Sequence, residues 1–128
     1  MKIDERDGVQ RISDERKRQI EKEGWVYEHD DEHEESELAW AAVCYAAPDL
    51  VFRLAEGPNE HLFRDPWPFE SRWDKRQHDG NVVLANWKQN TAQRVRMLEM
   101  AGALIAAEID RHLRAYPPVR EIHSEVKA

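Results

Sequence analysis

The segment from Glu28 to Glu37 concentrates side chains that can bind a metal ion. Seven of its ten residues are carboxylates, and His29 and His33 stand among them. Residues three or four apart share one face of a helix, so Glu34 and Glu37 are predicted to lie one turn apart. Carboxylates at this spacing repel each other. A hard divalent cation offsets the repulsion because it prefers carboxylate and phosphate oxygens, and the pattern therefore predicts a site for Mg²⁺, with Mn²⁺ as an alternative ion.

Two other interpretations of the acidic segment stay open. The run can be the solvated start of a helix, where the helix dipole favours negative charge. His29 and His33, four residues apart, can instead share a transition metal, although the segment lacks the H-E-x-x-H zinc pattern. The apolar residues that follow Glu37 at helical spacing, from Leu38 to Tyr45, favour a metal site because they carry this face into the core.

A further carboxylate lies where the last helix is predicted to be apolar. Glu108 is expected on one stripe with Leu98, Ala101, Ile105, Ile109 and His112. A buried carboxylate is costly unless it is paired or binds a metal. If the helices that carry Glu37 and Glu108 pack together, their carboxylates converge as in the metal sites of helical bundles. The alternative is a structural pair with an arginine, and the candidates are Arg16, Arg18 and Arg111.

Basic and aromatic residues near the last helix are candidates for binding a nucleotide. The basic residues are Lys75, Arg76, Lys88, Arg94 and Arg96. They can neutralise a triphosphate, or they can be ordinary surface charge. Tryptophans can stack a base or can pack in the core; they are Trp25, Trp67, Trp73 and Trp87. The predicted substrate-binding set is Lys75, Arg76, Arg94 and Trp73. Cys44 is interpreted as a small buried side chain rather than as a nucleophile.

Two helices are predicted before the middle of the chain. The first is expected at about 13–23, with a serine cap at its start and a glycine after its end. The second is expected to start at Asp30 or Asp31 and to end at Pro48. A short further helix is expected within 49–56.

The last helix is the strongest prediction of secondary structure. It is expected to start at Asn90 or Thr91 and to end near Ala115, and its apolar middle makes it the central buried helix. The preceding residues 57–90 are predicted to form a long loop rich in Trp and Pro, with 81–84 as the one strand candidate. The predicted fold class is all-α: a small bundle of three to five helices with this loop before its central helix.

The size and charge of the chain restrict its function. Its 128 residues predict a single domain over 1–128, with an ordered core at about 12–115 between a polar leader (1–11) and a solvated tail (117–128). The net charge of −7 disfavours general nucleic-acid binding and membrane association, because both require positive charge. One cysteine excludes an internal disulfide, and no signal peptide or membrane-spanning stretch is visible. We therefore expect a cytoplasmic protein.

Six sequence strings, in order over about residues 12–114, resemble one protein family. They are E-R-K-R-Q-I-E-K-E-G-W (15–25), E-H-D-D-E-H (28–33), E-L-A-W-A-A-V-C-Y-A (37–46), W-P-F (67–69), D-K-R-Q-H-D (74–79) and A-G-A-L-I-A-A-E-I-D-R (101–111). The ordered set resembles phage and prophage proteins described as dATP/dGTP pyrophosphohydrolase-like. That group is related to the MazG-type all-α nucleotide pyrophosphohydrolases.

The resemblance implies an all-α fold, Mg²⁺, and a homo-oligomer, either dimer or tetramer, with sites where helices pack. The superfamily pattern pairs E-x-x-E on one helix with E-x-x-D on a later one. Glu34 and Glu37 match the first motif. Glu99 begins the second, where Gly102 replaces the Asp, and Glu108, about two turns further on, is expected to act in its place.

The function expected from residues and resemblance is Mg²⁺-dependent hydrolysis of a (d)NTP, with a purine dNTP favoured, to the monophosphate and pyrophosphate. The predicted catalytic residues are Glu34, Glu37 and Glu108, and the predicted metal ligands are Asp31, Glu34, Glu37, Glu99 and Glu108. One alternative is a phage-type acidic interaction or inhibitor protein, which pairing of Glu108 with an arginine, far from Glu37, would favour. The other is an inactive nucleotide sensor of the same fold, which Gly102 suggests.

Overall fold

The computed structural model describes residues 3–25, 30–54, 63–79, 82–83 and 89–115. Within these ranges lie three helices, α1 (Gly8–Glu23), α2 (Glu37–Ala46) and α3 (Thr91–Ala115), and a 3₁₀ turn at Ser71–Trp73. Two short antiparallel ladders pair β1 (Arg53–Leu54) with β2 (Phe63–Arg64), and β3 (His78–Asp79) with β4 (Val82–Val83). The described chain is mostly helical, as predicted, but it is not purely α-helical.

Helix α1 begins earlier than predicted. Asp7 caps it in a reciprocal pair with Gln10: the Asp7 carboxylate accepts a hydrogen bond from the Gln10 N–H at 2.9 Å, and the Gln10 side chain accepts one from the Asp7 N–H at 2.7 Å. This capping box satisfies backbone donors at the helix start. The predicted start at Ser13 and the polar leader over 1–11 are therefore wrong for residues 8–11. Gly24, with φ of +72°, ends the helix as predicted.

The predicted start of the second helix is wrong. Asp30 and Asp31 are helical, but the chain then turns, and Ser36 adopts the left-handed conformation with φ of +66°. Helix α2 begins at the next residue, Glu37. One continuous helix therefore does not carry both Glu34 and Glu37, and the one-turn spacing predicted for these two carboxylates is not formed.

The segments after α2 correct two further predictions. Helix α2 ends at Ala46, ahead of Pro48, as expected. The short helix predicted within 49–56 is wrong for residues 49–54, because Arg53 and Leu54 form a strand. The strand candidate at 81–84 is confirmed at Val82 and Val83. His29, Trp87, Lys88 and the tail 117–128 lie outside the described residues.

Helix α3 is central, as predicted. Asn90 and Gln93 form reciprocal side-chain-to-backbone hydrogen bonds of 2.9 Å at its start. The helix packs against both α1 and α2. The buried core lies between α2 and α3 and consists of Leu38, Ala41, Ala42, Tyr45, Met97, Met100, Ala101, Leu104 and Ala107. None of the described helices is both long and apolar enough to cross a membrane.

The apolar stripe predicted on α3 is wrong in its orientation. Leu98, Ile105 and Ile109 are between 44% and 53% exposed, whereas Ala101 and Glu108 are buried. The reason is that α1 and α2 cover only part of the helix circumference, so that its apolar residues divide between the core and the surface. Leu113 is also exposed. We call Leu98, Ile105, Ile109 and Leu113 the α3 surface stripe.

Ion pairs join α1 to α3. The buried Glu15 carboxylate accepts hydrogen bonds from Arg18 and Arg96, both at 2.7 Å. Burial alone would raise the pKa of Glu15, but the hydrogen bonds from the two arginines outweigh burial and lower this pKa below its usual value. Glu15 therefore stays ionised and holds the two helices together.

Gly102 of α3 lies against the Ile12 side chain of α1. A Cβ at this position would be 2.5 Å from Cδ1 and 2.6 Å from Cγ1 of Ile12. A side chain therefore does not fit unless Ile12 moves. An aspartate at position 102, which the E-x-x-D pattern requires, would meet the same obstacle, so the glycine has a packing role in this chain.

We expect the effect of Gly102→Ala on the free energy of unfolding to depend on the residue at position 12. Overpacking costs about 1–3 kcal/mol, whereas alanine gains about 1 kcal/mol over glycine in a helix. The substitution should therefore give no gain, and a loss of up to about 2 kcal/mol, in the free energy of unfolding. In an Ile12→Ala background it should stabilise by about 1 kcal/mol. Urea unfolding of the four proteins measures both effects, and an equal effect in both backgrounds would contradict the contact.

Candidate functional site

The carboxylates of the predicted site lie in a loop that is tied to two helices. We call residues 30–37 the acidic loop. Asp30 is fully buried and accepts a hydrogen bond from Arg16 of α1 at 2.7 Å. Asp31, a predicted metal ligand, accepts one from Arg114 of α3 at 2.7 Å. The first two residues of the loop are thus engaged in structural ion pairs.

Glu37 is held in one orientation by its neighbours. One carboxylate oxygen lies 3.0 Å from Nδ1 of His33, and the other accepts a hydrogen bond from the backbone N–H of Glu35 at 2.6 Å. Contacts of this kind fix a side chain before a ligand arrives. Glu34, the other member of the E-x-x-E motif, is exposed in the preceding turn.

An aromatic cavity of about 380 Å³ lies on one side of the acidic loop. Its aromatic rings are those of Trp25, His33, Tyr45, Trp67, Phe69 and Trp73. The centroids of neighbouring rings lie 5.0 Å apart for His33 and Phe69, and 5.7 Å apart for Phe69 and Trp67. Cavities lined by aromatic rings with a few polar groups are typical ligand sites, and flat ligands can stack on such rings.

Tyr45 fixes one wall of the aromatic cavity. Its hydroxyl donates to the carbonyl of Trp73 at 3.2 Å and accepts from the N–H of Lys75 at 3.0 Å. Burial raises the pKa of this hydroxyl, so it stays protonated. The backbone at 73–75, which carries two of the predicted substrate-binding residues, is thereby tied to the core.

A second cavity, of about 400 Å³, lies on the side of the loop that carries Glu37. We call it the arginine cavity because Arg53 and Arg64 line it, together with Glu35, Glu37, Trp40 and Asp65. Trp67 and Pro68 line both this cavity and the aromatic one. The two cavities are therefore neighbours, separated by these residues and by the His33–Glu37 hydrogen bond.

A third cavity, of about 410 Å³, is lined by charged residues from the loop and the end of α3: Asp31, Glu34, Arg111, His112 and Arg114. Glu108 lies beside it, because one of its carboxylate oxygens is 2.7 Å from Arg111 and 3.5 Å from His112. The other oxygen, Oε2, is buried and has no hydrogen-bond partner among the described residues. The arginine pair that the sequence offered as an alternative for Glu108 is thus formed.

The five predicted metal ligands are not brought together as one site. Glu99 pairs with Arg11 at 3.1 Å and with Arg96 at 3.2 Å, on the side of α3 that faces α1. It is nine residues from Glu108, or about 13 Å along a helix. Within the described ranges, no three His, Cys, Asp or Glu side chains are placed to hold one metal ion.

Two carboxylates of the acidic loop line one cavity. Mg²⁺ in nucleotide enzymes is usually held by one or two carboxylates plus phosphate oxygens and water. Glu35 and Glu37 line the same cavity, and they supply such a pair. Glu108 Oε2 is a further oxygen that lacks a hydrogen bond among the described residues, but it lies beside the third cavity instead.

The predicted cation Arg76 has a structural role. It is buried, and its guanidinium donates to Asp65 at 2.9 Å and to Asp74 at 2.7 Å. His78 lies 3.1 Å from the same Asp74. This arrangement satisfies the charge of Arg76 within the protein, so Arg76 is poorly placed to bind a triphosphate.

The other predicted substrate-binding residues differ in their surroundings. Arg94 donates to the carbonyls of Tyr45, Ala46 and Ala47 at the end of α2, where a cation suits the helix dipole. Lys75 is exposed. Trp73 is 42% exposed and lines the aromatic cavity, so it is the member of the set whose position suits stacking on a base.

Sequence reasoning did not select several residues of these cavities. Arg53 and Arg64 carried no local signal, because their proximity arises from pairing of β1 with β2 across ten intervening residues. Glu35 belongs to the acidic run, but the sequence gives no reason to select it over the other carboxylates of that run. Cys44 is buried, as interpreted, and burial raises the pKa of its thiol to about 12, which makes it a poor nucleophile.

Comparison with known proteins returns no match. No family model matches the chain, and neither a curated protein nor a solved structure matches it. The functional argument therefore depends on the geometry of the residues themselves.

We expect Arg76→Gln to act on stability. Removing one partner of a buried ion pair costs about 3–5 kcal/mol, because the buried Asp74 carboxylate loses its partner. The matched control is Arg72→Gln, whose guanidinium is exposed and pairs with the exposed Glu70; an exposed pair contributes at most about 1 kcal/mol. Denaturant unfolding of the two variants gives the comparison. Equal stability of both would contradict the structural role of Arg76.

Proposed function

We propose that the protein is a Mg²⁺-dependent nucleotide pyrophosphohydrolase, which cleaves a (d)NTP, with a purine dNTP favoured, to the monophosphate and pyrophosphate. The observation that carries the proposal is the arrangement of two neighbouring cavities, one aromatic and one charged, on either side of the His33–Glu37 pair. A nucleotide has the same division into a flat apolar base and a charged phosphate chain.

The base would occupy the aromatic cavity. Trp67 and Phe69 are half-buried there, and their mutual contact and the Trp67 N–H bond to the Glu70 carbonyl at 3.1 Å hold them in place. Stacking on aromatic side chains is worth about 1–3 kcal/mol per base. Trp73, at the more exposed edge, would cover the base from the solvent side.

The phosphate chain would lie at the arginine cavity, beside Glu35 and Glu37, which would hold Mg²⁺. When bound, the ion would neutralise phosphate oxygens and lower the pKa of a water molecule. Attack by water on the α-phosphorus breaks its bond to the bridging oxygen and releases pyrophosphate. A carboxylate that lines this cavity would take the proton from water, whereas Glu34, which the sequence predicted to be catalytic, lines the third cavity instead.

The two alternative functions keep specific support. Glu108 pairs with Arg111 and does not line the arginine cavity, which Glu37 lines. This arrangement favours an acidic interaction or inhibitor protein. Gly102, which stands where the superfamily pattern has an aspartate, supports an inactive nucleotide sensor. Both alternatives predict that the purified protein releases no pyrophosphate.

Pyrophosphate release from each dNTP and NTP, with Mg²⁺ and with chelator, tests the proposal. We expect Glu37→Gln to lower the turnover number by about 100-fold or more, the usual scale for loss of a catalytic carboxylate. The control, Glu21→Gln, removes an exposed carboxylate of α1 and should leave turnover unchanged. Circular dichroism and thermal unfolding check that both variants fold. Unchanged turnover in Glu37→Gln, or no release by the wild type, would reject this site as an active site.

We also propose that the protein self-associates, and that a second copy completes a helical bundle with α3 at its centre. The α3 surface stripe supports this, because it presents four large apolar side chains from Leu98 to Leu113, a distance of about 22 Å along the helix. An antiparallel copy that crosses at the middle of the stripe would bring Leu98 of each copy near Leu113 of the other. A two-fold interface requires such a self-complementary patch.

Self-association predicts that Ile105→Glu converts the oligomer to a monomer, because it places two carboxylates at the centre of the contact. The control is Val43→Glu, at an exposed apolar position on α2. Light scattering after size-exclusion chromatography measures the mass of each variant. Antiparallel packing also predicts that a mixture of Leu98→Cys and Leu113→Cys forms mixed disulfides in preference to like pairs. A wild type that is monomeric at high concentration would reject the interface.

A further inference from the structure

The aromatic cavity has an acidic group at its edge. Of the described residues that line it, Glu70 alone carries a carboxylate. The Glu70 side chain is 69% exposed, and its carboxylate lies 2.9 Å from Nε of Arg72. The Arg72 guanidinium in turn stacks over the Trp73 ring, with the guanidinium carbon 5.0 Å from the ring centroid. These contacts place the carboxylate near Trp73, at the solvent side of the cavity.

The backbone that carries Glu70 and Trp73 is tied to other residues of the same cavity. The Glu70 carbonyl accepts a hydrogen bond from Nε1–H of Trp67 at 3.1 Å. The Trp73 carbonyl accepts one from the Tyr45 hydroxyl at 3.2 Å. A 3₁₀ turn at Ser71–Trp73 joins the two positions. This edge of the cavity is therefore formed before a ligand arrives, which lowers the entropic cost of binding.

Glu70 can accept further hydrogen bonds, whereas two other polar side chains of the cavity serve the backbone. Trp67 Nε1–H donates to a carbonyl, and the Tyr45 hydroxyl both donates to a carbonyl and accepts from a backbone N–H. A carboxylate has about four lone-pair sites, so Glu70 can hold Arg72 and accept from a ligand at the same time. Their ion pair is exposed and therefore contributes little to stability, so it can also open at small cost.

We infer that Glu70 selects the base: its carboxylate accepts one hydrogen bond from the ring N–H of guanine and one from the exocyclic amino group, while the base stacks in the aromatic cavity. The inference rests on the proposed function, which places the base there. Two N–H donors side by side on one edge of guanine match the two oxygens of a carboxylate. Adenine has an amino group beside a ring nitrogen that accepts, so it would set a lone pair against the carboxylate. Glu70 therefore favours guanine over adenine.

Binding of deoxynucleoside monophosphates tests the inference without hydrolysis. Isothermal titration calorimetry compares dGMP with dAMP and with dIMP, which lacks the exocyclic amino group. We expect the wild type to bind dIMP about ten-fold more weakly than dGMP, because one charge-assisted hydrogen bond is lost. It should bind dAMP about 100-fold more weakly, because both hydrogen bonds cannot form together. Equal binding of dGMP and dAMP would overturn the inference, and so would failure to bind any of the three at millimolar concentration.

Glu70→Gln replaces the carboxylate by an amide of the same shape at an exposed position, and circular dichroism checks its fold. The amide offers one donor and one acceptor, as adenine does in reverse. Binding of dGMP should therefore weaken about ten-fold or more, while dAMP should bind no more weakly than to the wild type. The matched control, Arg72→Gln, removes the other half of the same ion pair and should keep the preference for dGMP. A preference that survives in Glu70→Gln, or that is lost equally in Arg72→Gln, would overturn the inference.

The inference and the proposed function can fail separately. A preference for dGMP that Glu70→Gln removes, with no pyrophosphate release from any nucleotide, would support the role of Glu70 and reject the hydrolase. Mg²⁺-dependent pyrophosphate release with equal kcat/KM for dGTP and dATP, unchanged in Glu70→Gln, would support the hydrolase and overturn the role of Glu70.

Discussion

The buried ion pair between Asp30 and Arg16 is the constraint on which the rest of the site depends. Asp30 is fully buried, and a carboxylate in such a position requires a partner. Arg16 also donates to the carbonyl of Trp25 at 3.4 Å, so one side chain of α1 holds both the residue that follows Gly24 and the first residue of the acidic loop. The acidic loop therefore starts from a defined point, and its later residues are directed towards the cavities.

The ion pairs of the loop also explain why its charges do not form one large metal site. Each end of the acidic run is used for a different purpose: Asp30 and Asp31 bind arginines of α1 and α3, whereas Glu35 and Glu37 border a cavity. The turn at Ser36, with φ of +66°, separates Glu34 from Glu37. The carboxylates are therefore distributed around the loop, and a cation would meet one or two of them at a time.

The sequence predicts the helices well and their junctions poorly. Helix α3 was predicted closely because its apolar pattern is long and its caps at Asn90 and Gln93 are local signals. The start of α1 was missed because Ser13 offers a competing cap signal inside the helix, although Asp7 and Gln10 have the spacing of a capping box. The break at Ser36 has no local signal, since the residues from Asp30 to Glu37 are compatible with a helix. Pairing of Arg53 with Arg64 is a non-local event, which composition and periodicity do not report.

The structural roles of the predicted phosphate-binding arginines follow from the same requirement, that buried polar groups need partners. An arginine in a small domain can serve a ligand or can satisfy buried groups of the protein, and burial decides between these roles. Arg76 and Arg94 are used internally because Asp74 and the carbonyls at the end of α2 need donors. Arg64 is exposed, and its register partner across the ladder is another arginine. Burial thus assigns Arg76 and Arg94 to the protein's own buried acceptors, which removes both from the predicted substrate-binding set, whereas Trp73 and Lys75 keep exposed side chains.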